Sequence, residues 1–172
     1  MNEIREIVTK AVIAKGKKVC NLNAVVEPDN ETFSILGCWV INHNFTATLD
    51  QDCVKIDGSF EINIWYAYEE NSKTEVARQI YNYTDTIKTR QIVKNVTSSK
   101  DVIVRVLQQP TCTNASITEN GIEVEVVLEE AVDVIGETKI AVTAFTNIDP
   151  DTLDDSFENE INENFINENT IR

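Results

Sequence analysis

Few side chains in this 172-residue sequence have types and spacing that could do chemistry. The candidates for metal binding or thiol chemistry are one histidine, His43, and four cysteines, Cys20, Cys38, Cys53 and Cys112. No two cysteines form a C-x-x-C pair, and zinc wants closely spaced Cys and His ligands, so neither a metal nor any other cofactor is expected. The cysteines read as small, partly buried hydrophobes, with later oxidative cross-linking left open. A phosphate-cradling glycine loop, a G-x-S-x-G elbow and an H-E-x-x-H pair are all missing from the sequence. His43, in Asn42-His43-Asn44, reads as a turn histidine rather than a general base. Glu69-Glu70, Glu129-Glu130 and Asp154-Asp155 are adjacent, and neighbours in a strand point to opposite faces. They therefore read as solvated charges, not acid/base dyads. Lys15-Gly16-Lys17-Lys18 could bind an anion but reads as three lysines in solvent. No catalytic residue is assigned, and an enzyme is not expected.

Composition closes other classes. With 15 Lys+Arg against 29 Asp+Glu, the net charge is −14. That repels phosphate backbones and anionic membrane surfaces, which argues against nucleic acid and membrane partners. No apolar run approaches the ~20 residues of a spanning helix. The opening Met1-Asn2-Glu3-Ile4-Arg5-Glu6 has no basic n-region followed by an apolar run, so an unsecreted chain is expected. Asn-x-Ser/Thr triplets start at Asn30, Asn44, Asn82, Asn95 and Asn114; among 18 Asn in such a chain they read as coincidence.

The elements that must carry these residues are strands. Val, Ile and Thr together make 56 of 172 residues, against only 6 Leu and 10 Ala. Such side chains lose freedom in helices and pack well on pleated sheets. Period-2 alternation runs through Ser59–Tyr68, with Phe60, Ile62, Ile64, Tyr66 and Tyr68 on one face, and through Ile122–Leu128. Asp101–Leu107 and Thr138–Phe145 read as further strands, and Asn120-Gly121 as a type I′ hairpin turn. The expected fold is all-β and mainly antiparallel, a β-sandwich-like body of short strands. An offset of 68 residues aligns Ala47-Thr48-Leu49 with Ala115-Ser116-Ile117, and suggests an internal repeat over roughly 44–70 and 112–138.

The two ends differ from the middle. Residues 1–18 carry a local +3 and residues 149–172 a local −7, with Asp149-Pro150-Asp151 at the break. This divides a β-rich body, 1–148, from an acidic tail, 149–172, expected to be partly disordered. At the start, Ile4, Ile7, Val8, Ala11 and Val12 recur at helical spacing, which predicts a short N-terminal helix or turn leading into a strand. In the tail, Leu153, Phe157, Ile161 and Phe165 recur every four residues, a stripe suited to docking in a partner's groove. Trp39, Trp65, Tyr66, Tyr68, Tyr81 and Tyr83 could line a sugar-stacking face. Alternation puts Trp65 opposite Tyr66 and Tyr68, so core packing for one set and an interface for the other is the simpler reading.

Several ordered segments resemble one family. They are Glu3–Val12 with Ala14-Lys15-Gly16-Lys17, Ser34–His43, Ile62–Tyr68, Lys73–Val76, Val106–Cys112 and Ile135–Lys139. Together they are similar to CotE, the outer-coat morphogenetic protein of endospore-forming Firmicutes, through nearly the whole body, to about Val142. The tail matches only in being acidic. The resemblance implies a structural, self-assembling scaffold, made in the mother-cell cytoplasm and deposited in the spore outer coat. It implies as partners further copies of the chain in a higher-order lattice, other spore coat proteins, and the coat-basement ATPase of the forespore surface. On this reading Ile4, Ile7, Val8, Ala11 and Val12 serve self-association, and Leu153, Phe157, Ile161 and Phe165 capture partners. A carbohydrate-binding β-sandwich is the alternative.

Overall fold

With so many β-branched residues, helices have little to offer this chain. In the computed structural model every regular element among the described residues, 2–93 and 96–145, is a strand. In chain order they are β1 (Asn2–Val26), β2 (Ser34–Asp50), β3 (Cys53–Tyr68), β4 (Lys73–Lys88), β5 (Arg90–Gln91), β6 (Val96–Thr118) and β7 (Gly121–Phe145). One sheet has the order β2-β3-β4 and the other β5-β1-β7-β6. The pairs β2/β3, β3/β4, β6/β7 and β1/β5 are antiparallel. The all-β, antiparallel, sandwich-like fold expected from the sequence is the fold observed.

The described residues fall into two units, 8–138 and the chain ends 2–7 with 139–145. In the smaller unit, Lys139 Nζ lies 3.9 Å from Glu6 Oε2. The larger unit holds the core. The two central strands supply most of it: Val54, Ile56, Phe60, Ile62, Ile64 and Tyr66 from β3, and Ile122, Val124, Val126, Leu128, Val132 and Val134 from β7. Each such side chain contributes about 1.5–3 kcal/mol by leaving water.

Each side of this sandwich is closed differently. After β4 the chain crosses from one sheet to the other. Thr89 N donates to Asp52 O at 2.9 Å, β5 pairs with Ala14 and Lys15, and Ile92 N donates to Ile13 O at 2.7 Å. β1 passes so close here that a Cβ on Gly16 would lie 2.5 Å from Lys88 O. On the opposite side the edge strands β2 and β6 approach each other. There the side chain of His43 faces that of Gln109, and Cys38 faces Cys112, near enough to interact across the gap.

Bulges set where side chains point. Between Ile41↔Glu61 and Asn44↔Ser59, β2 has one residue more than β3, and Asn42 takes φ +56°. The insertion flips the alternation, so that Val40 before it and Phe45 after it both pack on the core. Gly58, opposite Phe45 and Tyr83, leaves a hollow across which the Tyr83 ring lies. Pro110 is buried in edge strand β6, where the register slips between Gln108 and Thr111 and no ladder hydrogen bond is required of it.

Four expectations need correction. The N-terminal helix or turn is strand β1, because pairing beside β7 overrides an apolar spacing that helix and strand can share. The hairpin at Asn120-Gly121 exists, but Glu119 and Asn120 bridge it without positive φ and Gly121 takes φ +123°, so it is not type I′. Ile122–Leu128 and Thr138–Phe145 belong to one long strand, not two short ones. Glu130, read as a solvated charge, is only 1% exposed. The segments 44–70 and 112–138 fall on the β2–β3 and β6–β7 hairpins. The tail, with Leu153, Phe157, Ile161 and Phe165, and the boundary at 148 lie outside the described residues.

The Gly58 hollow gives a test. A Cβ there would lie 2.5 Å from Tyr83 ring atoms, so Gly58→Ala is expected to cost about 1–3 kcal/mol in thermal or denaturant unfolding. In a Tyr83→Ala background the same change should cost far less, and a double-mutant cycle measures the difference.

Candidate interaction surface

The outward face of the three-stranded sheet carries exposed large side chains at regular spacing. The antiparallel register builds it row by row. Gly37, Trp65 and Val76 form one row, Trp39, Asn63 and Arg78 the next, and Ile41, Glu61 and Ile80 the third. Trp39 is 41% exposed, Ile41 42%, Trp65 44% and Ile80 68%. A Cβ on Gly37 would sit 3.6 Å from the Trp39 ring, so this indole leans along β2 over the glycine that pairs with Trp65. Asn63, in the centre, is buried beneath its neighbours and donates to Glu61 Oε1 at 3.0 Å. Glu61 Oε2 accepts from Asn42 at 3.2 Å, while Arg78 is exposed. Two indoles, two isoleucines and an arginine on a hydrogen-bonded floor match the composition of protein interfaces.

The split of the aromatics follows the expected alternation. Tyr66 and Tyr83 are core, and Tyr68 and Tyr81 pack against it. Phe60 stacks on Tyr81 with centroids 5.4 Å apart, and Tyr66 lies 6.0 Å from Tyr68. Only Trp39 and Trp65 of the six reach solvent on the outer face.

The remaining candidates fare unevenly. On β1, Ile4, Ile7 and Val8 are exposed, while Ala11 and Val12 are half-buried. Strand alternation separates Ile4, Val8 and Val12 from Ile7 and Ala11, so the five do not make one stripe. The lysine run is no anion site, because Lys17 pairs with Glu129 at 2.7 Å and Lys18 pairs with Asp85. Among the described residues no group of three or more His, Cys, Asp and Glu is placed to hold a metal, and no helix is long and apolar enough to cross a membrane.

Compared with known proteins, the chain is matched over residues 3–171 by the family model described as outer spore coat protein E (CotE). No curated protein and no solved structure matches it.

Sequence reasoning missed a polar chain through the core. His43 Nε2 is 2.7 Å from the Tyr83 hydroxyl, which donates to Glu130 Oε1 at 3.4 Å. Glu130 Oε2 and Asp85 Oδ2 are buried without a partner among the described residues. Burial, and then the Asp85 carboxylate, push the Cys20 thiol up to about 11. Burial lowers the proton affinity of His43 and raises that of Glu130. The signal was available: β7 buries Ile122, Val124, Val126, Leu128, Val132 and Val134, and Glu130 falls on the same register. The folded state therefore favours neutral Glu130. Its contribution is complete below the ordinary glutamate value of 4.5 and is lost as pH rises through the raised folded value. Glu130→Gln should accordingly melt a few degrees above the parent at about pH 8, with the gap closing toward about pH 4, in calorimetric scans across pH.

Proposed function

The chain belongs to the outer spore coat protein E family, and from that premise we propose that it is a self-assembling scaffold that recruits other proteins into the coat. Membership makes it a spore outer coat protein of a structural family. The finer reading is carried by the outer face around Trp39 and Trp65, an apolar surface built on rigid strands and left open to solvent. Growth beyond a dimer needs either two patches or one head-to-tail pair. The exposed Ile4 and Val8 on one face of β1, with Ile7 on the other, supply further apolar surface, and nearby basic residues can complement acidity elsewhere. The tail stripe Leu153, Phe157, Ile161 and Phe165 is assigned to client coat proteins. Placement depends on the coat-basement ATPase of the forespore surface, after synthesis in the mother-cell cytoplasm.

Light scattering at micromolar concentration should show assemblies larger than a dimer. Deleting residues 1–12 should shrink them and leave a folded body, since the first buried core residues are Ile13 and Ala14. Added salt should shrink them as well. Trp39→Ser with Trp65→Ser should also reduce assembly size, by about tenfold or more in the concentration required, without lowering the melting temperature. A persistent monomer in the parent protein would count against the scaffold reading.

Removing residues 150–172 should leave assembly intact and abolish capture of coat proteins in a pull-down, and Phe157→Asp with Ile161→Asp should do the same. Equal capture by intact and tail-less chains would refute the assignment. The paired indoles also favour one second reading, a carbohydrate platform. Saturable quenching of tryptophan fluorescence by a polysaccharide, lost in the double Trp variant, would support that instead.

A further inference from the structure

Three features outside this reading could carry more: the buried His43–Tyr83–Glu130 chain, the clefts along the loops, and the two cysteines on the closed side of the sandwich. Cys38 lies on β2, paired with Ile64, and Cys112 on β6, paired with Val126. These are edge strands of different sheets, and they run close together. Both side chains are half-buried and pack against the same core. Their thiols are close enough to influence each other across the gap. A second cross-edge interaction, between the side chains of His43 and Gln109, lies farther along the same two strands.

Local geometry aims both sulfurs inward. β2 slips register between Ile35 and Gly37, just before Cys38, and β6 between Cys112 and Asn114. Bulges of this kind redirect side chains. The Cys112 thiol donates to Asn114 O at 3.5 Å. Burial, then the neighbouring Cys112 thiol, push the Cys38 thiol up to about 12, so it stays protonated until an oxidant engages the pair.

We propose that Cys38 and Cys112 form an intrachain disulfide when the chain meets a small disulfide oxidant, covalently joining the edge strands β2 and β6. Cys112 gives up its proton and its sulfur attacks one sulfur of oxidised glutathione, forming a mixed disulfide and releasing one glutathione, which takes up the proton. Cys38 then gives up its proton, and its sulfur attacks Cys112 Sγ and expels the second glutathione. Two protein thiols and one glutathione disulfide become one protein disulfide and two glutathione thiols. The bond closes a loop of more than seventy residues, so its effect on the unfolded chain is large. It also withdraws both thiols from links between chains and leaves half-exposed Cys53 as the thiol most open to them.

The test is oxidation of the full chain with glutathione disulfide, followed by non-reducing electrophoresis and peptide mass mapping of the monomer band. The expected result is a Cys38–Cys112 linked peptide, a mass loss of about 2 Da per chain, and a melting temperature roughly 10 °C above the reduced form. Cys38→Ser and Cys112→Ser should each abolish all three changes, whereas Cys53→Ser should keep them. If either serine variant fails to fold, the peptide map of the parent protein decides. Recovery of Cys38 and Cys112 as free thiols, as stable glutathione adducts, or linked to Cys53 or to another chain would overturn the proposal.

Discussion

The structure depends on one contact, the packing of the inner face of β3 against the inner face of β7. Each strand is central in its sheet, and each alternates large apolar side chains inward over most of its length. Once these faces meet, the outer strands are held by ladder hydrogen bonds and need less apolar area of their own. This explains how β2 and β6 can carry polar and small residues, several bulges and a proline. It also explains how the core tolerates the His43–Tyr83–Glu130 chain. The apolar contact is large enough to absorb a buried acid whose second oxygen has no partner among the described residues.

The same arrangement separates roles by face. Inward positions are committed to the core, so whatever the body does to other molecules it does from its outer faces, edges and ends. On the three-stranded sheet the outward register collects Trp39, Trp65, Ile41 and Ile80 on a floor levelled by Gly37. Solvent-facing indoles and isoleucines in a chain of net charge −14 are costly to leave uncovered. A protein that ends in an assembled coat can cover them with its neighbours.

Much of this was legible in the sequence, because strand alternation is a two-state pattern and Ile62-Asn63-Ile64-Trp65-Tyr66 leaves little ambiguity. The division of aromatics between core and surface followed from it directly. Ile4, Ile7, Val8, Ala11 and Val12 misled because exposed apolar residues on both faces of a strand can mimic a helical stripe. Glu130 lies on the inward register that Ile122–Leu128 already defines, but Glu129-Glu130 read as a pair of charges rather than by position. The nearness of β2 to β6, and so of Cys38 to Cys112, was not legible at all. It depends on how two sheets stack, which no local pattern encodes.

Strand order also has a consequence for synthesis. β2, β3 and β4 are neighbours in sequence and in space, so their sheet can zip together soon after it emerges from the ribosome. β1, made first, sits between the two-residue β5 and β7, which is made last among the described strands. Its closing entropy is that of nearly the whole body, and through most of translation its backbone has only β5 to pair with. For that interval the nascent chain presents a long strand whose main partner has not yet been made. The order of manufacture thus opposes the order of the sheet.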